Sequence, residues 1–456
     1  MTAQSLSSVK QALLEQLRQH IVPELERLVG QLPDELLDFG HAEIQLRVGM
    51  LDLGRRLLGL WTQCADRVAE RPRCTRCGVP MRNKGLVSAE IASTLGSVTY
   101  RRPRWRCDGP DGCGQECYPH DRALRFGTEQ GVHGVSWALA RVLSRMAADI
   151  ASFEGARDCL EEDYRVHLAK ETVRRIAEDA GRDVLAQEDR IRAAVMERRL
   201  PLPESSSDLP PAAQAPATAY VFADGTMVHA DGDWHEVRVL TAATEAADGR
   251  ALARRSVARF LSPEDAAWQL AMLARSVDYH NARQKVFLAD GAAWLWKLQE
   301  EYFGSATAIL DWCHLAEKVH TAASGLFGEG TQEAKSWAES IKDELWEGRV
   351  ETALEEVRGQ ETRARSPCRR EAIHALRTYL ENQRDHVDYP RYRALGLSIG
   401  SGQVEAQCKS LVGARCKQAG MRDWTYSGAE AILRLRAARH DKTFDTIWER
   451  RLRVAA

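Results

Sequence analysis

A cluster of prolines near the middle of this 456-residue chain separates two parts with different sequence patterns. Five of its 15 prolines fall between positions 201 and 216, together with Ser205–Ser207 and several alanines. Proline fixes φ and removes a backbone donor, so this stretch cannot hold regular structure. We therefore predict a linker over 201–217, and the length of the chain itself predicts several domains.

Strand-like runs follow the linker, with a helical pattern over 263–277 between the third and the fourth. The five runs lie at 218–223, 234–244, 254–260, 285–289 and 306–310. Strands that alternate with helices predict an α/β sheet, whose first part we place at 218–314. A charged, purely helical pattern predicts a helical insertion over 315–390. Residues 391–456 open with the run GLSIGSG, continue as basic amphipathic helices and form the second part of the core.

The part before the linker is mainly helical. Leucines recur near every 3.6 residues over 1–70, which predicts two or three amphipathic helices used for packing or self-association. Residues 123–200 are again helical, and the segments 152–163 and 168–184 form a close pair. This pair predicts a helix-turn-helix that binds DNA, although plain packing pairs have the same pattern.

Paired cysteines predict a zinc ribbon over 71–122. The four cysteines are Cys74, Cys77, Cys107 and Cys113, in two knuckles about 30 residues apart with a predicted β-hairpin between them. Four thiolates can hold one Zn²⁺ in a tetrahedral site. Such a site has no open position for water or substrate, so we expect the zinc to be structural. Cys117 or His120 could replace Cys113 as the fourth ligand, and reduced cysteines without a metal are the other interpretation.

Basic charge is local rather than global. The chain has 63 Lys and Arg against 65 Asp and Glu, so its composition alone does not indicate nucleic acid. Nine basic residues face one acid over 71–107, however, and eleven face six acids from 401 onward. The candidate DNA contacts are Arg101, Arg102 and Arg104 in the hairpin, Thr172, Arg174 and Arg175 in the second helix of the pair, and Lys409, Arg415 and Lys417 near the C-terminus. For the hairpin, a solvated charged surface is the alternative.

Two acids end apolar strands in the second half of the chain. Asp224 in YVFADGT and Asp290 in KVFLADGA each precede a glycine. Open α/β sheets bind ligands at the carboxyl ends of their strands, and two carboxylates there can share divalent cations for phosphoryl displacement. A third carboxylate is expected from a helix, and the candidate is Glu405 in GSGQVEAQCKSLVGARCK. Taken singly, each acid is more simply a turn residue or a solvated helical residue.

These segments resemble bacterial insertion-sequence transposases of the DDE type, and in particular the ISKra-type family. The resemblance covers about 70 to 450 and rests on LGSVTYRRPRWRC, YVFADGT, KVFLADGA, AILDWCHLAEKVH and the block YRALGLSIGSGQVEAQCKSLVGARCKQAGMRDWTYSGAEAILRLRA. It implies a multidomain α/β protein with an RNase H-like mixed-sheet core. It also implies that Asp224, Asp290 and Glu405 form a triad that binds two Mg²⁺, and that the helical stretch before Glu405 is an insertion. One departure is the segment DGPDG between Cys107 and Cys113, where such ribbons usually keep two residues.

The segment AILDWCHLAEKVH places Asp311, Cys313 and His314 at the end of a further strand. We predict His314 as an auxiliary residue that contacts the scissile phosphate or positions Asp290, with a packed core histidine as the alternative. A cysteine nucleophile has no task beside a metal-binding carboxylate pair.

The sequence as a whole predicts a DNA transposase that binds transposon ends and cuts and joins DNA. Two ends must be paired, so we expect a dimer or a higher oligomer. The absence of an apolar run of 18 residues and of a secretory pattern predicts a cytoplasmic protein, associated with the bacterial nucleoid. A DNA-binding regulator without cleavage activity and a stand-alone nuclease are the alternatives. The sequence does not determine the terminal repeat, the target site or the pathway.

Overall fold

A computed structural model describes residues 8–30, 32, 39–64, 71–108, 112–123, 134–197, 215–400, 402–418, 421 and 423–454. The chain divides into two compact units, Met1–Ala180 with Trp448–Ala456, and Gly181–Ile447. Of the predicted linker, residues 201–214 lie outside the described residues. Within the described ranges, no helix is both long and apolar enough to cross a membrane.

The first unit combines helices with a small antiparallel sheet. Its strands are β1 (Arg82–Ser93), β2 (Gly96–Arg106) and β3 (Glu116–Cys117), in the order β1-β2-β3. Its helices are α1 (Ser8–Val29), α2 (Phe39–Cys64), α3 (Pro119–Ala123), α4 (Trp137–Asp149), α5 (Phe153–Tyr164) and the first part of α6 (Lys170–Glu197). Helices α1 and α2 pack on each other, and α2 also packs on β2.

The helix pair predicted at 152–163 and 168–184 corresponds to α5 and α6. Ser152 begins α5, because its hydroxyl accepts from the N–H of Gly155, and Arg165 ends the helix in a left-handed conformation with φ 53°. Helix α6 runs for 28 residues, well past the predicted end. Helix α5 packs against α4.

The second unit is built on a mixed five-stranded sheet. Its strands are β4 (Thr218–Ala230), β5 (Asp233–Glu245), β6 (Ala251–Arg259), β7 (Gln284–Ala289) and β8 (Thr307–Leu310), in the order β6-β5-β4-β7-β8. Strands β4, β5 and β6 are antiparallel neighbours, whereas β4, β7 and β8 are parallel. Helices α7 (Pro263–Ser276) and α8 (Ala293–Tyr302) connect β6 to β7 and β7 to β8. The predicted order of strands and helices is confirmed.

Strands β4 and β5 are longer than predicted. Their pairing continues from Thr218 and Glu245 to Ala230 and Asp233, and Ala230 also forms an isolated bridge with Trp424. The pairing continues past Asp224 because the chain turns back at Asp231 and Gly232, both with positive φ. The resulting β4–β5 hairpin extends beyond the end of β7.

Helices fill the rest of the second unit. After β8 come α9 (Trp312–Phe327), α10 (Gln332–Trp346), α11 (Val350–Arg363), α12 (Pro367–Gln383) and α13 (Tyr389–Ala394). They are followed by α14 (Gly402–Gln407), a π-helical turn (Cys408–Gly413), α15 (Ala414–Cys416), α16 (Tyr426–His440) and α17 (Phe444–Val454), whose last residues belong to the first unit. Helix α9 begins three residues before the predicted insertion, because Asp311 caps its first turn.

The core of the second unit lies on both faces of the sheet. On one face, Val221 of β4 and Phe287 of β7 are buried in one cluster with Leu270 of α7. On the other face, the paired residues Phe222 and Leu288 are buried as well. Helices α6 and α16 cross closely at Gly181, where a Cβ would lie 2.2 Å from the carbonyl oxygen of Ala431. Only glycine permits this approach of two backbones.

Candidate functional site

The four predicted zinc ligands converge in the first unit. The ligand atoms of Cys74, Cys77, Cys107 and Cys113 all lie within 4.8 Å of one another. The Sγ atoms of Cys74 and Cys113 are 3.4 Å apart, and those of Cys77 and Cys107 are 3.3 Å apart. A Zn–S bond of about 2.3 Å predicts S–S distances of about 3.8 Å in a tetrahedron, so the arrangement fits a bound zinc ion.

Both cysteine knuckles are closed in the same way. The N–H of Gly78 donates to the carbonyl of Cys74 at 2.9 Å, and the N–H of Gly114 donates to the carbonyl of Cys107 at 3.0 Å. Both glycines have positive φ, 73° and 75°. The second knuckle therefore brings its two cysteines together despite its longer spacing.

The pKa values of two thiols in the cluster are shifted in opposite directions. Hydrogen bonds from the backbone N–H groups of Cys77 and Arg76 lower the pKa of the Cys74 thiol to about 6, against the opposing effect of its burial. A backbone hydrogen bond from Cys113 lowers the pKa of the Cys107 thiol, but burial and hydrogen bonds with the other thiols raise it to about 12. Because a thiolate is the form that binds a metal, Cys74 is the thiol whose surroundings favour metal binding. Cys117 instead contacts the sulfur of Met81 at 3.3 Å, and His120 is buried with its ring 6.4 Å from that of Tyr100. Cys113 is therefore the fourth member of the cluster.

Three acids follow paired positions on adjacent parallel strands of the second unit. Ala223 of β4 pairs with Ala289 of β7, and Ala289 pairs with Leu310 of β8. The next residues along the three strands are Asp224, Asp290 and Asp311. Because neighbouring strands lie about 4.8 Å apart, the three residues lie side by side at the level where β7 and β8 end. Asp290 and Asp311 follow the last residues of their strands, whereas Asp224 lies inside β4 and not at its end as predicted, because β4 continues to pair with β5.

The predicted triad is only partly described. Asp224 and Asp290 are half-buried. The backbone of Glu405 lies in α14, which packs on β4 and β5, whereas its side chain lies outside the described residues. Among the side chains that the structure describes, the acids do not form a group as tight as the cysteine cluster.

A cysteine links the Glu405 helix to the first acid. Cys408 begins the π-helical turn that directly follows α14, and its thiol donates to Oδ2 of Asp224 at 3.2 Å. The N–H of Gly225 donates to Oδ1 of the same carboxylate at 2.7 Å. The π-helical turn thus lies against the strand that carries Asp224, and such turns occur frequently at functional sites.

Asp311 and His314 form a buried pair beside the other two acids. The Asp311 carboxylate accepts from the N–H of Cys313 at 2.6 Å, and its Oδ2 lies 3.3 Å from Nδ1 of His314. The contact with the Asp311 carboxylate raises the pKa of His314 to about 9. The charges of Asp311, Asp224 and Asp290 raise it further, and burial opposes the shift. His314 is therefore an imidazolium at neutral pH, next to three carboxylates. The sequence placed Asp311 near the site but did not reveal this pairing.

The predicted basic residues near the C-terminus differ in exposure. Lys409 and Lys417 are exposed, and Nζ of Lys417 contacts the hydroxyl of Thr226, two residues beyond Asp224 on β4. Arg415 is only 2% exposed, and its guanidinium lies 4.7 Å from the ring centre of Trp424. A buried, stacked guanidinium serves packing, so we leave Arg415 out of the DNA-binding surface proposed below.

The candidate DNA contacts of the hairpin also differ. Arg101 is exposed on β2. Arg102 forms an ion pair with Asp121 and lies 3.8 Å from the ring centre of Tyr118, whereas Arg104 is 3.9 Å from Glu116. Arg101 is thus the most accessible of the three for a phosphate.

In helix α6 the three candidates lie in the first two turns. Arg174 binds Glu171 and Glu178, and hydrogen bonds with these carboxylates raise its pKa further. Thr172 is half-buried and Arg175 is exposed. Residues three and four apart on a helix can form such ion pairs. The ion pairs of Arg174 with Glu171 and Glu178 could therefore have been predicted from the sequence.

Comparison with known proteins identifies a family. The model of a family described as Uncharacterised protein family (UPF0236) matches residues 81–451. No curated protein matches the chain.

Proposed function

This chain belongs to the uncharacterised protein family UPF0236, and we propose, from the geometry of its second unit, that it is a DNA transposase with an RNase H-like catalytic core. Its proposed partners are double-stranded DNA at the ends of a transposable element, target DNA and further copies of the chain. The proposed location is the bacterial nucleoid. Helices α5 and α6 are proposed to act as a helix-turn-helix.

One observation carries the proposal. Asp224 and Asp290 follow the paired residues Ala223 and Ala289, so they lie at the same level on adjacent parallel strands, at the point where β7 ends. Three antiparallel strands followed by two parallel strands joined by helices are the arrangement expected of an RNase H-like core. The carboxyl ends of parallel strands are also where α/β sheets bind their ligands.

Support for Glu405 as the third acid comes from the neighbouring backbone. Cys408 touches the Asp224 carboxylate at 3.2 Å, and Glu405 lies three residues earlier in the continuous helical segment. Residues three apart are neighbours on a helix surface. We therefore propose that Glu405 completes the site with Asp224 and Asp290.

Hard carboxylate oxygens are the ligands that suit Mg²⁺. Two Mg²⁺ ions held by Asp224, Asp290 and Glu405 would supply activation of a water or 3′-hydroxyl nucleophile and stabilisation of the leaving oxygen. The protein itself contributes strands that hold two of the carboxylates. We propose that it also contributes the ring of His314 as an auxiliary contact to a phosphate oxygen of the DNA strand.

The remaining elements are proposed to bind DNA without cutting it. The cysteine cluster, when it holds zinc, would fix the base of the β1–β2 hairpin, on which Arg101 is exposed. Arg175 of α6 and Lys417 near Asp224 are further exposed cations. Contacts of this kind neutralise phosphates and orient a protein on its DNA.

The test is DNA cleavage and joining in vitro. Full-length protein is incubated with Mg²⁺, a plasmid that carries the encoding gene with its flanking genomic DNA, and a second plasmid as target. We expect cuts at both ends of the element and joined products. Both should be lost in Asp224→Asn and in Glu405→Gln, and retained in the control Asp248→Asn, whose side chain is 69% exposed in the β5–β6 turn.

The outcomes separate the proposal from its alternatives. Cut ends without joined products would indicate a nuclease, and binding without cuts would indicate a DNA-binding regulator. Cleavage that persists in both Asp224→Asn and Glu405→Gln would refute the proposed site.

A further inference from the structure

The loop that carries Asp290 is held by a helix about 90 residues further along the chain. The hydroxyl of Tyr379 in α12 donates to the carbonyl of Asp290 at 2.8 Å. The side-chain amide of Gln383 donates to the carbonyl of Gly291 at 2.9 Å. Residues four apart lie on one helix face, so a single face of α12 binds two consecutive carbonyls of this loop.

The Gln383 amide is itself oriented by a third residue. The indole N–H of Trp296 in α8 donates to Oε1 of Gln383 at 2.7 Å. An indole nitrogen can only donate, so the oxygen of the amide must face Trp296 and the NH₂ group must face Gly291. Gln383 is only 3% exposed, and the ring of His386 stacks on Trp296 with 4.0 Å between centres. This hydrogen-bond chain is therefore fixed in one direction.

The loop fits closely beneath α12. Gly291 has φ 93°, and a Cβ there would lie 3.0 Å from both Cδ1 of Leu310 and Cε2 of Tyr379. The N–H of Ala292 then donates to Oδ1 of Asp290 at 2.9 Å. The same short loop thus fixes both the backbone of Asp290 and the direction of its carboxylate.

We infer that Tyr379 and Gln383 are positioning residues for the Asp290 carboxylate, so that α12 of the predicted insertion helps to build the metal site rather than serving as a spacer. This inference rests on the function proposed above. Each would act through the backbone of the Asp290 loop, by its hydrogen bond with the carbonyl of Asp290 or of Gly291. Partners of this kind that orient a metal ligand typically change metal affinity by about 10–100-fold when they are replaced.

The structure offers a matched control for Tyr379. Tyr392 of α13 also donates its hydroxyl to a strand carbonyl, that of Ala308 at 3.3 Å, and its side chain is buried. Ala308 lies within β8, away from the Asp290 loop. Tyr392→Phe therefore removes a similar hydrogen bond from the same unit without releasing this loop.

The experiment measures metal affinity in two ways on the full-length protein. Binding of Mn²⁺ is followed by electron paramagnetic resonance, and the Mg²⁺ dependence of DNA cleavage gives a half-saturating concentration and a maximal rate. For Tyr379→Phe we expect about tenfold weaker Mn²⁺ binding and about a tenfold higher half-saturating Mg²⁺ concentration, with most of the rate restored at saturating Mg²⁺. Gln383→Met should shift both in the same direction, and Tyr392→Phe should match the wild type.

The two proposals fail in different ways. If the wild type cuts DNA and Asp290→Asn loses Mn²⁺ binding, but Tyr379→Phe and Gln383→Met retain wild-type metal affinity, the positioning role is wrong and the proposed function stands. Equal losses of metal affinity in Tyr379→Phe and Tyr392→Phe would also overturn the positioning role, because they would indicate a general loosening of the second unit. A wild type that neither cuts DNA nor binds Mn²⁺ through Asp290 would overturn the proposed function itself.

Discussion

Replacing His314 with glutamine should remove a pH dependence of stability that arises from its buried pair with Asp311. The pKa of His314 is raised from 6.5 to about 9 in the folded protein, first by its contact with Asp311 and then by the charges of Asp311, Asp224 and Asp290, against the opposing effect of burial. A raised pKa means that the folded state binds the proton more tightly than the unfolded state. The resulting stability is fully present below pH 6.5 and is lost as the pH rises through about 9.

The size of the effect follows from that difference. Each pKa unit corresponds to about 1.4 kcal/mol, so the His314 proton contributes on the order of 3 kcal/mol at pH 6. The His314 side chain is 25% exposed, which limits solvent screening of the pair. In Asp311→Asn the main cause of the raised pKa is absent, and most of the contribution should disappear as well.

The assay is urea unfolding of the full-length protein between pH 6 and pH 10, without added divalent cations and followed by tryptophan fluorescence. The wild type should lose on the order of 3 kcal/mol more unfolding free energy over this range than His314→Gln. The control His320→Gln changes an exposed histidine on the same helix and should follow the wild type. Parallel stability curves for wild type and His314→Gln would refute the reasoning.

Three further changes test other parts of the structure. Cys113→Ser should reduce bound zinc from about one ion per chain to a substoichiometric amount in atomic absorption, whereas Cys117→Ser should retain it; equal loss would contradict the assignment of the fourth ligand. Gly181→Ala should destabilise the protein by about 1–3 kcal/mol in thermal unfolding, because the new Cβ meets a backbone carbonyl. In contrast, Gly359→Ala in the open middle of α11 should be neutral or stabilising, by up to about 1 kcal/mol. Lys417→Gln should weaken DNA binding and reduce the slope of log binding constant against log salt concentration by about one. An unchanged slope would exclude a phosphate contact at Lys417.

The parts of the structure that the sequence predicted have local signals. The cysteine knuckles are short motifs closed by their own glycines, and the apolar runs ahead of Asp224 and Asp290 predict buried parallel strands. These signals depend on neighbours within a few residues. The convergence of the four cysteines and the order of strands and helices were therefore accessible without coordinates.

The parts that the sequence missed depend on contacts between distant segments. Nothing near Tyr379 or Gln383 in the sequence indicates that α12 reaches the Asp290 loop. Arg415 lies in a basic stretch typical of a surface, and only its packing on Trp424 shows that it is buried.

The pairing of Asp311 with His314 has a local signal, because an aspartate before a helix often caps it and lies within reach of the third residue.

The unequal lengths of β4 and β7 also restrict access to the carboxylates. Strand β7 stops at Ala289, whereas β4 continues six residues past Asp224 to Ala230, about 20 Å at the usual rise per residue. The bridge to Trp424 secures the far end of this overhang. The overhang forms a wall along one flank of the acids, and under the proposed function a DNA strand would reach them alongside the β4–β5 hairpin rather than across it.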